Sequence, residues 1–386
     1  GHDFLEKAVE RSAGCLVVSE EIGAVDDGVS VIKVTDTLKA LGDMAHWRRK
    51  LLKKLNDPLV IGLTGSCGKT TVKEMVAAIF EHRWPDRVDR AAGRVLKTGG
   101  NFNNLIGLPL SLLPASAEHR VLVLEMGMNC PGEIARLVEI ADPAIGCITN
   151  VHGAHLEGLG SIEGVAAAKG ELIDGMTPDG MLAVNLDDEL VLQRAKMSGL
   201  RMVTYSTGDK SDKADIRVSG VRADGNGHLN LKLHLPEGNA QVVIRSPGLH
   251  NSSNACAAAA IAYRAGIGMD DIVAGLENFR SASKRMEHLV TPDGLNLLND
   301  TYNANPASMA SGLKTLSGLA AKEKVAVLGD MLELGADSRK LHCELGGLAA
   351  CSGIGYLGVT GQFAEDIAAG ALGAGMSSER IVIFDD

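Results

Sequence analysis

Eight residues concentrate the chemistry that this sequence can offer: Thr64-Gly65-Ser66-Cys67-Gly68-Lys69-Thr70-Thr71. Glycine at 65 and 68 permits positive φ and lets a phosphate approach the backbone closely. Lys69 adds a cation beside the outer phosphates, and the Thr70 hydroxyl can ligate Mg²⁺. A P-loop would carry a further glycine five residues before Gly68, where this chain has Leu63. The alternative is a glycine turn before a buried helix, but a Lys-Thr-Thr helix start has no structural need for glycine on both sides. Cys67 reads as a small residue in that turn. The rival idea, a redox-active thiol, rests on the tendency of a helix N-terminus to lower thiol pKa.

Further along, Glu125 closes the apolar run Val121-Leu-Val-Leu-Glu125, the strand end where open α/β sheets bind ligands. A carboxylate there, paired with the Thr70 hydroxyl, could hold the Mg²⁺ that bridges nucleotide phosphates. Its bland alternative is a capping or solvated Glu. The next apolar run delivers Thr149-Asn150 and then His152 and His155. His155 is either a satisfied loop histidine or a second metal or phosphate contact. Lys169 follows Val165-Ala166-Ala167-Ala168, small residues that let a helix pack closely; it is either solvent-facing or a partly buried amine of lowered pKa. Arg285 and Asp300 stand where one unit gives way to the next, placed to clamp a ligand or to form an interdomain ion pair.

These residues need a strand, a glycine turn and a helix start, and the surrounding pattern supplies them. Leu59 to Leu63 reads as a strand, while Val72, Met75, Val76, Ile79 and Phe80 recur at helical spacing. Such a junction aims backbone N–H groups and the positive helix end at one point. Apolar runs at 121–125, 144–149 and 181–185 lack alternation and suit buried parallel strands. Residues 215–246 alternate instead and predict an antiparallel hairpin beside the main sheet. Helices are expected from Ser161 to Gly175, with Ser161 as N-cap, and from Ser253 to about Ala265. From 286 a second α/β sheet is expected, with strands at 295–298, 325–328, 356–359 and 381–384. The division predicted is 1–56, a small unit too short for its own core; 57–284, a central unit with a mostly parallel sheet; and 285–386, a Rossmann-like unit. The sequence pattern gives the first and last units the look of incomplete domains.

The chain has 386 residues, 45% hydrophobic but only 3% aromatic, with 46 Gly, which suits an Ala/Gly/Val-rich α/β protein. A net charge of −10 with no compensating basic stripe argues against nucleic acid as partner. The basic run Arg48-Arg49-Lys50 to Lys53-Lys54 reads as a solvated helix face. Seven cysteines without a CxxC pair fit a reducing compartment and give no zinc signature. No apolar run of membrane-spanning length occurs, so a cytoplasmic protein is expected.

Taken together, TGSCGKTT, GGNFNNLIGLPLSLL (Gly99 to Leu113), LEMGMNCPGEI (Leu124 to Ile134), TNVHGAHLEGLGS (Thr149 to Ser161), AAAKGEL (Ala166 to Leu172), GLHNSSNACAA (Gly248 to Ala258), NDTYNANPAS (Asn299 to Ser308) and LGDMLELG (Leu328 to Gly335) resemble the Mur ligase family over nearly the whole chain. NFNN before IGLPL, and YNANP, point to the member that joins D-alanyl-D-alanine to UDP-N-acetylmuramoyl-tripeptide; the Asp-Asn-Pro-Arg motif of the diaminopimelate- or lysine-adding relative is absent. The resemblance implies an ADP-forming, ATP-dependent acid–amino-acid ligase of peptidoglycan precursor synthesis. It implies ATP phosphates on Gly65, Ser66, Cys67, Gly68, Lys69, Thr70 and Thr71; Mg²⁺ on Thr70 and Glu125; and a second Mg²⁺ on His155. It further implies a carbamylated Lys169 supporting a cation, Asn251 and Asn254 on the adenine side, and Arg285 and Asp300 as interdomain ATP contacts. Asn104 aligns with the family's Asn near phosphate transfer, with Asn103 beside it, and Asn303 and Asn305 are expected near the incoming dipeptide. A monomer is expected. A folylpolyglutamate synthase or cyanophycin-type ligase is the alternative within enzymes. A nucleotide switch is disfavoured by the lack of an Asn-Lys-x-Asp motif.

Overall fold

The structure is a computed structural model that describes residues 1–385 other than 24, 26–27, 86–92, 154–155 and 225–226. Its centre is a nine-stranded sheet. In spatial order the strands are Gly238–Ile244, Leu229–Leu235, Ile216–Ala223, Arg201–Ser206, Met181–Asn185, Ile145–Ile148, Leu59–Thr64, Val121–Glu125 and Val95–Lys97. From Val95–Lys97 through Ile216–Ala223 every neighbour is parallel, and the last two pairings are antiparallel. The α/β reading with a large, mostly parallel sheet is therefore what the chain builds. The expected hairpin at 215–246 is a run of three strands that extends the same sheet. Its alternating Leu229, Leu231, Leu233 and Leu235 lie in one core with Val242 and Ile244.

Helices cover both faces, which is why the central strands are apolar without alternation. One core joins the strands to the helices Lys69–Arg83, Asn251–Arg264 and Met269–Asn278. Ala255 to Ala262 are buried there, since small side chains let the helix lie close against the sheet. The opposite core holds Gly107–Leu112, Glu133–Ala141, Ile162–Asp174 and Glu189–Ser198. The helix Thr37–Leu55 joins this second core through Ala45 and Leu52. Its basic run is the solvated face expected at Lys50, Lys53 and Lys54, which are exposed, but not at the two arginines. Arg49 shares that inward stripe and is buried, giving its Nε–H to Ala141 O at 3.2 Å, where a helix ends with its carbonyls unpaired. Arg48 likewise reaches Ala115 O at 2.7 Å.

Towards the C-terminal end, Val325–Leu328, Tyr356–Val359 and Ile381–Ile383 form a three-stranded parallel sheet packed under Pro306–Gly318, Ser338–Cys351 and Ala364–Gly373. The strand expected at 295–298 does not join it. Asn296–Asn299 pairs antiparallel with Glu287–Val290, because the intervening Thr291-Pro292-Asp293-Gly294 turns the chain straight back. Near the N-terminal end, Cys15–Val18 and Ser30–Lys33 make a separate parallel pair. Among the described residues no helix is long and apolar enough to cross a membrane.

Candidate active site

The loop after Leu59–Thr64 emerges between its two neighbours in the sheet. Leu63 is level with Glu125 on one side and Cys147 on the other. Chain order reverses about this strand, so a crevice opens at the carboxyl ends of all three. Gly68 ends the loop at φ 82° as N-cap of Lys69–Arg83, and no side chain caps that helix. Its first amides are thus left to an anion, with the helix dipole behind them.

Both glycines answer to particular neighbours. Gly65 has φ 147°, and a Cβ there would run into the Thr149 hydroxyl. A Cβ at Gly68 would run into Asn254 Oδ1. Glycine therefore does more here than leave room for a phosphate: it lets two further segments close on the loop. The strand exit 149–152 holds the loop's shape. Asn150 accepts from Cys67 N–H at 2.9 Å and donates to Cys67 O at 3.1 Å, while Thr149 Oγ1 donates to the same carbonyl at 2.6 Å. Ser66 Oγ donates to His152 O at 3.0 Å and accepts from His152 N–H at 2.9 Å. Asp188 in turn accepts from Val151 N–H at 2.7 Å. In the sequence Thr149 and Asn150 read only as polar residues after an apolar run. The signal for a clamp is three-dimensional, since its partners lie more than 80 residues apart.

Glu125 is 1% exposed. Its Oε2 accepts from Thr70 Oγ1 at 2.8 Å and its Oε1 from Asn103 Nδ2 at 2.8 Å. Carboxylate, hydroxyl and loop lysine thus converge as the motif reading expected. Lys69 donates to Gly65 O at 2.6 Å, and burial pulls its pKa below the usual lysine range against the opposing charge of Glu125. Lys169 lies within Ile162–Asp174, whose N-cap is Ser161 as predicted: Ser161 Oγ accepts from Gly164 N–H at 3.2 Å. Lys169 is 2% exposed. Burial, reinforced by the charge of Lys69, holds its pKa well below the ordinary lysine value, which disfavours the charged form. Burial also pushes the Cys67 thiol up, which works against the redox idea; its Sγ–H points to Asn305 Oδ1 at 3.6 Å.

Asn251 and Asn254 are buried beside the loop. Asn251 Nδ2 donates to Pro247 O at 2.8 Å, and Asn254 Nδ2 donates to Asn251 Oδ1 at 2.9 Å. From Gly68 a cavity of about 380 Å³ runs past Asn150, Asn254 and Asp187 to Arg285 and Asp300. The Arg285 guanidinium lies 3.9 Å from the Tyr302 ring centroid, and Asp300 Oδ1 accepts from Met286 N–H at 3.0 Å. Arg285 and Asp300 both line the cavity, and the charge of Arg285 acts on the Asp300 carboxyl.

Other expected residues stand apart from this convergence. Asn104 is exposed and its Oδ1 accepts from Gly107 N–H at 2.8 Å, capping its own turn. Asn303 is exposed, with Oδ1 turned to Ala304 N–H at 2.9 Å. Asn305 faces Cys67, yet the same Oδ1 caps Pro306–Gly318 through Ser308 N–H at 2.9 Å. His155 lies outside the described residues. Among the described residues no group of three or more His, Cys, Asp or Glu could hold a metal ion unaided.

A strand, an uncapped glycine turn and a lysine-bearing helix start, flanked by a buried carboxylate, define a phosphate-binding α/β protein of the P-loop type. Residues 63–262 match the family description "Mur ligase middle domain" and residues 284–386 match "Mur ligase, glutamate ligase domain". The chain belongs to the Mur ligase family. It is 36% identical over 353 residues to the UDP-N-acetylmuramoyl-tripeptide–D-alanyl-D-alanine ligase of Escherichia coli (strain K12), covering 92% of this chain and 74% of that protein. To the enzyme of the same name from Bacillus subtilis (strain 168) it is 37% identical over 375 residues, covering 96% and 77%. A crystal structure of MurF from Acinetobacter baumannii superposes with a TM-score of 0.87 at 31% identity, covering 100% of this chain and 78% of that one. The MurF ligase of Thermotoga maritima, solved with ADP, shares the fold with a TM-score of 0.81 at 24% identity, covering 100% and 87%.

Proposed function

We propose that this chain is an ADP-forming, ATP-dependent peptide ligase that joins D-alanyl-D-alanine to UDP-N-acetylmuramoyl-tripeptide. The single observation that carries the reading is the convergence of the 65–71 loop, Glu125 with Thr70, and the buried Lys169 at one end of the sheet. Relatives named for this reaction, at 36–37% identity over most of the chain, support the choice of substrates.

In the proposed reaction the tripeptide's terminal carboxylate takes the γ-phosphoryl group of ATP, and the amine of D-alanyl-D-alanine displaces phosphate from the resulting acyl phosphate. Two anions must meet, so the chain's task is to spread negative charge. The loop amides of 65–71 and Lys69 would receive the triphosphate. Asn251 and Asn254 would take the base end, and Arg285 and Asp300, which line the same cavity, would close on the nucleotide from the other side. The donor set fits Mg²⁺: one carboxylate and one hydroxyl, both hard oxygens, leave the remaining positions to phosphate and water, as this ion prefers. Bound there, the ion would neutralise charge on the phosphates. Glu125 and Thr70 would hold it, and Asn103 would keep the carboxylate oriented.

A neutral Lys169 amine can add CO₂ and lose a proton, which turns it into a carboxylate-like group able to support a second cation, with His155 as a further ligand. The asparagines 103, 104, 303 and 305 remain the proposed lining for the acceptor and dipeptide. The proposal includes division into units at about 56 and 284, action as a monomer, and a cytoplasmic location, where nucleotide-linked precursors are made.

ADP release tests this directly. It should require both UDP-N-acetylmuramoyl-tripeptide and D-alanyl-D-alanine, and glutamate should not replace the dipeptide. Lys69→Ala should reduce turnover by roughly a hundredfold or more. ADP release that ignored the amine, or near-normal turnover of Lys69→Ala, would contradict the assignment.

A further inference from the structure

One turn beyond Lys69, the same helix buries a second lysine that the reaction above does not use. Lys73 is 1% exposed, on a face otherwise given to Val72, Met75, Val76 and Ile79. Its Nζ donates to Thr98 O at 2.7 Å, lies 3.1 Å from Glu74 Oε1 and stands 4.0 Å from Glu125 Oε2. Burying an ammonium is costly unless opposite charge repays it, and an apolar side chain would pack here without that cost. Glu74 does not need Lys73 as its counter-charge, since Lys97 meets it at 2.8 Å. Lys69, which also feels the charge of Glu125, gives its Nζ–H to Gly65 O at 2.6 Å, whereas Lys73 faces the carboxylate from inside the core, both side chains being 1% exposed.

We propose that Lys73 is a positioning residue that serves as the internal counter-cation of Glu125 and makes uptake of a divalent cation conditional on the nucleotide. The inference rests on Glu125 being the metal carboxylate. With Lys73 beside it, the carboxylate offers a lone divalent cation little net attraction, and like charges 4–6 Å apart in a buried site repel strongly. A polyphosphate brings the extra negative charge that overcomes this repulsion, so metal and nucleotide enter together.

The test uses Mn²⁺ as probe, followed by electron paramagnetic resonance on the full chain with and without ADP. Lys73→Gln keeps a donor for the Thr98 carbonyl while removing the charge; Lys73→Met removes both. Without ADP, Lys73→Gln should bind Mn²⁺ at least about tenfold more tightly than the unsubstituted chain, and the gain in affinity on adding ADP should shrink. Adding Glu125→Gln to Lys73→Gln should abolish the extra binding. A folded Lys73→Gln that binds Mn²⁺ no more tightly overturns the proposal. So does failure of both Lys73→Gln and Lys73→Met to fold, which would make the ammonium a purely structural tether. Mn²⁺ uptake with ADP that survives Glu125→Gln alone would overturn the metal reading itself, and this proposal with it.

Discussion

A methyl group is enough to expose how the phosphate loop is built. At Gly65 it would meet the Thr149 hydroxyl on a backbone already at φ 147°. Strain of this kind costs about 1–3 kcal/mol. Gly65→Ala should therefore weaken Mg·ADP binding by roughly tenfold in calorimetry, and Thr149→Ala in the same chain should restore part of the loss by removing the obstructing oxygen. Lys169 gives a second prediction at this scale. Folded, its pKa is held well below that of an ordinary lysine by burial and the charge of Lys69; unfolded, it takes up a proton as an ordinary lysine does, with a pKa of about 10.4. Between the depressed folded pKa and the free value the unfolded chain binds more protons, so this site adds stability as pH rises towards about 10, and Lys169→Met should flatten that rise in urea unfolding curves. An equal slope in both proteins would mean that the amine stays charged in the fold. The placement of Lys69, Thr70 and Glu125 is legible in the sequence because a glycine turn or a strand end marks each one, whereas spacing leaves Lys169 open between a solvent-facing and a partly buried amine. That of Lys73 is not legible, since a lysine one turn along a helix carries no local mark that distinguishes a buried ammonium from a solvated one.

The elements show why some expectations failed. Strands with apolar residues at every position, and helices with a capping serine such as Ser161, announce themselves through short-range pattern. A helix face is different, because its environment depends on what packs there. Arg49 is buried only because Thr37–Leu55 lies across the end of Glu133–Ala141. The strand expected at 295–298 pairs outside the C-terminal sheet because the pattern gives a strand's type but not its partner. The clamp of Asn150 on Cys67 belongs to this scale too, since it joins two neighbouring strand exits. Asn150→Asp keeps an acceptor for Cys67 N–H but sets an oxygen against Cys67 O and adds negative charge beside the phosphate site. It should weaken ATP binding more than Asn150→Ala does, by at least roughly tenfold relative to the unsubstituted chain. Equal affinities for the two variants would show that the amide does not shape the loop.

Across the whole molecule, the cavity is closed by residues from both sides of the junction near 284. Cys67 meets Asn305, and His250 Nδ1 lies 2.8 Å from Ser311 Oγ. The loop that would grip a nucleotide thus touches the start of a helix in the C-terminal unit, and an acid activated on one side can be met by an amine from the other. Charge at this scale fits the same picture: the chain is acidic overall, while Arg285 on the cavity wall is near enough to Lys69 of the loop for their charges to act on each other. The most direct measurement follows an oxygen atom. With ¹⁸O in the tripeptide's terminal carboxylate, each turnover in the presence of ATP and D-alanyl-D-alanine should deliver one ¹⁸O to the released phosphate. Phosphate that carries no ¹⁸O from the acid, its fourth oxygen coming from solvent, would mean that water, and not the acid, takes the phosphoryl group.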